Sequence, residues 1–444
     1  MSDISSGTAA PPSSAQAGRR ELLAWALYDF ANSGYSTVVL TTIYSAYFVA
    51  VVAGAVTTLR PGTATLLWTI AVACANFCVL LSAPVIGAIA DHRAMKKVFL
   101  LVTTVCCVVA TALLGLVGPA ELVLGMTLLI ASGIAFASGE NLIASFLPEI
   151  ASSDKMGRVS GYGWGLGYFG GVLTLGCCLA YIAWATARGQ QAVDYVPVTL
   201  IITAVIFALA ATPTFLWLRE RAIPRPLPQG SSYFRAGFKQ VRRTLSHAAH
   251  YRDLFRFLLC LTAFQSGVAT VVVIAAIYAQ EVMGFDSQQL IQLIMVVNLT
   301  AALGAFVFGF AQDRYGSVPT LATAILLWMV AIGVAFLADK PGDLWLAGNL
   351  MGLAMGGSQA GGRALIGRLT PVTRSAEFFG LWGLASRAAA ILGPLSYGIV
   401  NRLTDGNHRI AMLSTLTFFL VGLLLLATVD EQRGIAAREK RFGG

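Results

Sequence analysis

Apolar residues in this chain come in unbroken runs of about twenty or more, not at the three-and-four spacing of a helix with one wet face. The runs cover 22–53, 65–90, 97–118, 121–146, 160–185, 196–218, 254–280, 288–311, 318–337, 343–365, 376–400 and 410–429. A helix needs about 20 such residues to cross about 30 Å of hydrocarbon, so the pattern predicts twelve transmembrane helices. The breaks carry turn residues or charge: Arg60-Pro61-Gly62, Asp91-His92-Arg93, Gly118-Pro119, Gly316, Pro341-Gly342 and Asp405-Gly406. Runs 121–146 and 343–365 are interrupted by glycine, and their edges are the least sharply drawn.

Composition agrees with a lipid solvent. Of 444 residues, 57% are hydrophobic and 11% charged, against about 25% charged in soluble domains. A soluble fold this apolar has too little polar surface to face water. Glycine, at 45 residues, suits helices that pack closely in a bilayer. The seven cysteines, Cys74, Cys78, Cys106, Cys107, Cys177, Cys178 and Cys260, all lie inside apolar runs and read as small apolar filler. No secretory signal is visible, and residues 1–20 read as a disordered tail rich in Ser, Ala and Pro.

Charge then sets orientation. With the N-terminus cytoplasmic, the inner side holds Arg19, Arg20, Arg93, Lys96, Lys97, Lys155, Arg158, eight basic residues from Arg219 to Arg252, Arg314, Arg368, Arg374 and four in the C-terminal tail. The outer loops hold Arg60, Arg188, Lys340, Arg402 and Arg409. This asymmetry places both termini inside and explains the net charge of +9 without nucleic acid. The expected organisation is a six-helix bundle over 21–218, a cytoplasmic linker over 219–253, a second six-helix bundle over 254–430 and a tail over 431–444. In the linker, Tyr233, Phe238, Val241 and Leu245 recur between basic residues. This reads either as an amphipathic helix on the inner membrane surface or as a solvated basic connection.

The halves repeat at an offset near 222 residues. Gly87-Ala88-Ile89-Ala90-Asp91-His92-Arg93 follows the second run and Gly309-Phe310-Ala311-Gln312-Asp313-Arg314-Tyr315-Gly316 the eighth. Gly139-Glu140-Asn141 before Pro148 matches Gly362-Arg363-Ala364 before Pro371, and Ser160-Gly161-Tyr162 echoes Phe379-Gly380-Leu381. Two pseudo-symmetric bundles with a shared midplane site are the arrangement of a secondary transporter. In each acidic loop the glycine lets two helices approach. The aspartate meets the positive N-terminus of a neighbouring helix and nearby arginines, as a conformational latch. Gly87, Asp91, Arg93, Gly309, Asp313 and Arg314 are the expected latch residues.

These loops resemble the major facilitator superfamily signature Gly-x-x-x-Asp-Arg-x-Gly-Arg, with His92 and Ala94 standing where Arg and Gly are usual. The second loop lacks the trailing basic residues, which implies a weaker second latch. A narrower resemblance is to the vacuolar amino-acid effluxers, the autophagy-related permeases, and their bacterial relatives. It is carried by Trp25-Ala26-Leu27-Tyr28-Asp29-Phe30-Ala31-Asn32-Ser33, by 161–171 with its repeated glycines, by 358–363 and by Glu377-Phe378-Phe379-Gly380. The resemblance implies an all-α major facilitator fold and solute movement, with amino acids the substrate class named for eukaryotic members. The short loops point to a bacterial cytoplasmic (inner) membrane protein.

Ionisable residues at membrane depth are functional candidates. Asp29, Glu140, Arg363 and Arg387 are of this kind. Glu140 and Arg363 are repeat partners of opposite sign, and are expected to pair across the cavity or to hold a zwitterion. A structural pair within one half, or an Arg363 that snorkels to the interface, are the alternatives. Asp29 suits a proton, a substrate or a contact inside its own half. Arg387 suits a carboxylate, held by two parallel bonds. Asn32, Asn141, Gln265, Asn298 and Gln359 are either cavity groups or interhelical hydrogen-bond partners. Trp164, Tyr168 and Trp382 either line a pocket or pack.

An enzyme is disfavoured, because the chain has no Walker loop and no His-Glu-x-x-His, and its four histidines, His92, His247, His250 and His408, fall in loops or the linker. A channel fits the paired loop motifs less well than a carrier. The expectation is a permease for a small-molecule substrate, coupled to a proton or a solute gradient, with no cofactor, no metal and no nucleic-acid partner.

Overall fold

The computed structural model describes residues 17–57, 63–222, 251–285, 287–405 and 407–439, with isolated positions between 224 and 246. The main helices are α1 Arg19–Val52, α2 Thr63–Arg93, α3 Lys96–Leu113, α4 Leu122–Ala144, α5 Met156–Thr186, α6 Ala192–Trp217, α7 Arg252–Met283, α8 Ser287–Tyr315, α9 Ser317–Leu337, α10 Pro341–Leu369, α11 Ser375–Leu403, α12 His408–Leu426 and a short α13 Glu431–Glu439. The proposed amphipathic stretch of the linker lies largely outside the described residues.

Eleven of these helices are long and apolar enough to cross a membrane. The twelfth expected span, 343–365, falls in α10, a helix of 29 residues. It is long enough but too rich in glycine, and carries Arg363 and Arg368. The reason is its position. From Ala354 onward nearly every residue is buried by protein, and at Gly356 an added Cβ would meet the backbone of Ala301 and Ala305 in α8. A helix wrapped by other helices needs no apolar face for lipid.

Elsewhere the lipid face is explicit. In α3, Val98, Leu101, Val102, Val105 and Val109 are exposed, while Leu100, Thr104, Cys107 and Thr111 are buried. That stripe recurs at helical spacing, but the apolar side faces outward, the reverse of a helix in water. Buried apolar side chains gather in two large clusters. One is drawn mostly from residues 25–218 and the other mostly from residues 251–429. Between α1–α6 and α7–α12 several of the closest backbone approaches are made at small residues. Gly309 of α8 sits so close to Gly157 of α5 that an added Cβ would lie 2.8 Å from the Gly157 carbonyl. Gly87 of α2 has no room for a Cβ against Ala376 of α11. Such contacts replace a hydrophobic driving force with close packing and interhelical hydrogen bonds.

α1 carries two π-helical segments, Ser36–Thr42 and Phe48–Val52. The Thr41 and Thr42 hydroxyls donate to the Ser36 and Thr37 carbonyls at 2.9 and 2.6 Å. Short π-helical segments are frequent at functional sites.

Candidate functional site

The two halves meet in three layers, starting from the end of the molecule at which α1 begins and α12 ends. The outermost layer holds the two aspartates expected to act as latches. Asp91, at the end of α2, accepts hydrogen bonds from the backbone N–H of Ala376 (3.2 Å) and Glu377 (2.9 Å), the first turn of α11. Asp313, at the end of α8, accepts from the N–H of Gly157 (2.8 Å) and Arg158 (2.9 Å), the first turn of α5. These N–H groups have no intrahelical acceptor and carry the positive end of the helix dipole. Each aspartate therefore caps a helix of the opposite half.

The cations differ from expectation. Arg314 is exposed and lies 5.7 Å from the Tyr315 ring, and Arg93 is also exposed. The residues that reach the aspartates are Lys96 on Asp91 at 3.5 Å, and Arg368 (2.8 Å) and Arg158 (3.7 Å) on Asp313. Lys96 is fully buried, bonded also to Glu149 and, at 2.8 Å, to the Ser375 hydroxyl. Arg368 bonds Glu431 at 2.8 Å as well. The second latch is thus no weaker in partners than the first, and the expectation of a weaker one is corrected. Its basic partner comes from α10 and not from the loop, because the end of α10 passes beside Asp313.

The second layer is an ion pair between halves that sequence reasoning matched differently. Arg363 of α10 bonds Asp29 of α1 at 2.6 Å, not Glu140. It also donates to the Ser160 hydroxyl (3.2 Å) and carbonyl (2.9 Å) on α5. Its guanidinium lies 4.7 Å from the Trp25 ring and 5.2 Å from that of Trp164. Gly163 has no room for a Cβ beside Asp29 and Arg363. Arg363 is 3% exposed, so it does not snorkel. A guanidinium with a carboxylate, two oxygen acceptors and two aromatic faces is stably held in a dry site. Asp29 leaves its own half for this bond, which excludes the reading of a contact inside α1–α6 alone.

The third layer lies deeper. Glu140 of α4 pairs with Arg387 of α11 at 2.8 Å, twelve residues or about 18 Å into that helix. Both groups remain partly open, with side chains 29% and 19% exposed. On α10, Gln359 is one turn before Arg363, and its Oε1 accepts from Gln265 Nε2 of α7 at 3.0 Å. On α1, Asn32 is one turn beyond Asp29. On α5, Trp164 and Tyr168 follow Ser160 at successive turns, their rings 5.8 Å apart. This layer holds buried polar atoms without partners: both amide atoms of Asn32, Trp164 Nε1, Gln265 Oε1 and Arg387 Nε. Such atoms are rare in folded proteins and call for an explanation. A solute that supplies the missing donors and acceptors is the simplest.

Three candidates fall elsewhere. Asn141 packs against Gly383 and lines a small cavity with Gly87 and Ala376, on the latch side of Glu140. Asn298 donates to Ile294 of its own helix at 2.8 Å. Trp382 is buried in the second-half core against Phe379. Sequence reasoning missed Ser160 as an Arg363 ligand, Arg368 as a latch cation and Glu431 behind it. Ser160 stood in the repeat and Arg368 among the inner basic residues, but neither carries a signal of its partner.

Comparison with known proteins fits this geometry. Residues 61–439 match the family described as vacuole effluxer Atg22 like. The chain belongs to that family. An MFS-type transporter of Bacillus subtilis (strain 168), YxiO, is 28% identical over 416 residues, 92% of this chain and 94% of that protein. Autophagy-related protein 22-1 of Aspergillus niger is 26% identical over 300 residues, 62% of this chain and 48% of that protein. The chain thus spans about half the length of such fungal relatives. The fold is shared with the human organic anion transporter MFSD10 (TM-score 0.71, 15% identity, 94% of this chain and 100% of that one). It is shared too with the proton:xylose symporter XylE (0.69, 15%, 94% and 95%), and with a bacterial ferroportin homologue in an outward-facing state (0.68, 14%, 92% and 99%). This Atg22-like chain is therefore a major facilitator superfamily transporter of a small solute, built as a multi-pass integral membrane protein.

Proposed function

We propose that this Atg22-like protein is a twelve-span secondary transporter, with both termini cytoplasmic, that moves a small zwitterion of the amino-acid class by alternating access. α10 counts as the twelfth span because it is sheathed by α5, α8 and α9. The observation that carries the reading is the Glu140–Arg387 pair. It joins the two halves, stays partly open, and sits among polar atoms that lack partners. A bound amino acid would bring its carboxylate to Arg387 and its ammonium to Glu140, and would meet the unpartnered amide atoms of Asn32 and the Oε1 of Gln265. The Asp29–Arg363 pair beneath it closes the path toward the end at which α1 begins. Every contact between halves described above lies toward that end, which is the arrangement of an outward-open carrier. A proton is the natural coupling ion, since Asp29 and Glu140 are the carboxylates that would exchange partners as the halves rock.

The reading rests on a carrier and not on an enzyme or pore. It is tested by a binding screen of the common amino acids on purified protein, followed by proteoliposome counterflow with and without an imposed pH gradient. Saturable counterflow of at least one amino acid, lost in Arg387→Ala, is the expected result. Flux that does not saturate, or binding confined to non-zwitterions, removes the proposal. The setting expected from the sequence, a bacterial inner membrane, is part of the same proposal.

A further inference from the structure

α6 and α12 end on the side where α1 begins, and each is followed within a few residues by a glutamate that turns back onto its own half. Glu220 accepts hydrogen bonds from the N–H groups of Lys96 (2.7 Å) and Lys97 (3.1 Å), the first residues of α3. Glu431 accepts from the N–H (2.8 Å) and hydroxyl (2.7 Å) of Ser317, the first residue of α9. α3 and α9 are the helices that follow the two latch turns. Each exit segment is in turn tied to the first helix of its half. Glu21 of α1 accepts from the Arg219 N–H (3.0 Å) and from the Arg221 guanidinium (2.7 and 2.8 Å). Asp253 of α7 accepts from the Asp430 N–H (3.0 Å) and from the Arg433 guanidinium (2.7 and 2.5 Å).

Both exit segments stand directly behind a latch cation. Glu220 fixes the backbone of Lys96, and the Arg221 N–H donates to Glu149 (3.0 Å), the second carboxylate on Lys96. Glu431 holds the Arg368 guanidinium, and Arg438 donates to the Arg368 carbonyl at 2.8 Å. Gly434 lies against Leu369 with no space for a Cβ. Arg368 cannot leave Asp313 with α10 unless α13 gives way, and Lys96 cannot move without the start of the linker. The bonds are charge-assisted and partly sheltered from water, the class that contributes most per bond.

We propose that Glu220 and Glu431 are matched positioning residues that hold Lys96 and Arg368 on the latch aspartates, so that the linker start and α13 set how readily each latch opens. Neither glutamate touches the solute site. The consequence for transport rests on the alternating-access reading above, but the structural consequence does not.

The test is hydrogen exchange, followed by mass spectrometry, on the full chain in lipid nanodiscs. The N–H groups of Gly157 and Arg158 are protected by Asp313, and those of Ala376 and Glu377 by Asp91, because first-turn amides have no helical acceptor. Glu431→Gln is expected to speed exchange at Gly157 and Arg158 roughly ten-fold, the effect of weakening a charged hydrogen bond, and to leave Ala376 and Glu377 unchanged. Glu220→Gln is expected to do the reverse. A chain that ends at Asp430 should reproduce the Glu431→Gln pattern. If Glu431→Gln frees only Ser317, then Glu431 is a helix cap and the proposal is overturned. Faster exchange across the whole chain in both Glu431 variants would overturn it too, by showing a general structural role. In proteoliposomes an amino acid retained by the screen should show a changed kcat with an unchanged KM. If no amino acid is carried, the transport reading fails while the exchange pattern still decides the clamps.

Discussion

The two latches reach one geometry from different parts. In both, an aspartate at the end of a helix caps the first turn of a helix in the other half, and a buried cation sits between that aspartate and a second carboxylate. At the first latch the cation is Lys96, the opening residue of α3, and the second carboxylate is Glu149, in the turn between α4 and α5. At the second the cation is Arg368, from the end of α10, and the second carboxylate is Glu431, from α13. The sequence repeat marks the aspartates and hides the rest. What the halves share is a charge arrangement at helix ends, and electrostatics accepts a cation from any element that passes close enough. The difference has consequences. Among the described residues Asp91 pairs with Lys96, whereas Asp313 pairs with both Arg368 and Arg158.

Several variants would break or sharpen this contrast. The largest effect should fall outside both latches. Arg387→Ala should reduce uptake of a carboxylate substrate by roughly a hundred-fold, because the carboxylate loses its charged partner. Exchange at Gly157 and Ala376 should stay as in the parent. Wild-type flux would remove Arg387 from the site. Next, Lys96→Met leaves Asp91 and Glu149 buried without their cation and should cost about 3–5 kcal/mol. Arg368→Met leaves Asp313 with Arg158 and should cost about 1–3 kcal/mol. Thermal unfolding in detergent compares the two, and an equal loss would cancel the asymmetry.

The latch aspartates come next. Asp91→Asn and Asp313→Asn should slow turnover more than they weaken solute binding, since both lie far from the third layer. The Asp313 variant should be the slower of the two, because four groups rather than three lose a charged acceptor. Single-turnover flux beside equilibrium binding measures both quantities, and unchanged turnover in either variant would strip that aspartate of its role.

The smallest effect concerns pH. Burial pushes the Glu431 carboxyl upward, but hydrogen bonds from Ser317 and Arg368 outweigh it and leave the group below its ordinary 4.5. A depressed value means that its contribution is full above the ordinary value and lost as pH falls through the lowered one. α13 should therefore stay docked at neutral pH and loosen only in acid. The anisotropy of a fluorophore on exposed Ala436→Cys, in a background without the native cysteines, would follow this. Loosening near pH 7 would contradict it, and Glu431→Gln should flatten the profile.

The chain's own pattern determined a good deal. Runs such as 97–118 and 318–337 are apolar on every face, and only hydrocarbon accommodates that, so membrane class and most helix positions were legible. Asp91 and Asp313 were legible because a glycine four residues earlier and a charge at a helix end leave a local mark in both halves. The ionisable residues Asp29, Glu140, Arg363 and Arg387 were legible as important, because charge at membrane depth is costly. Which of them pair was not. Repeat symmetry matched Glu140 with Arg363, but α10 brings Arg363 to α1 and α5, and α11 carries Arg387 to α4. The roles of Arg368, Glu220 and Glu431 were equally hidden. Spacing along a chain records which face of one helix a residue occupies, but only the packing of helices decides which charges come within a few ångströms, and there the Coulomb and hydrogen-bond energies are set.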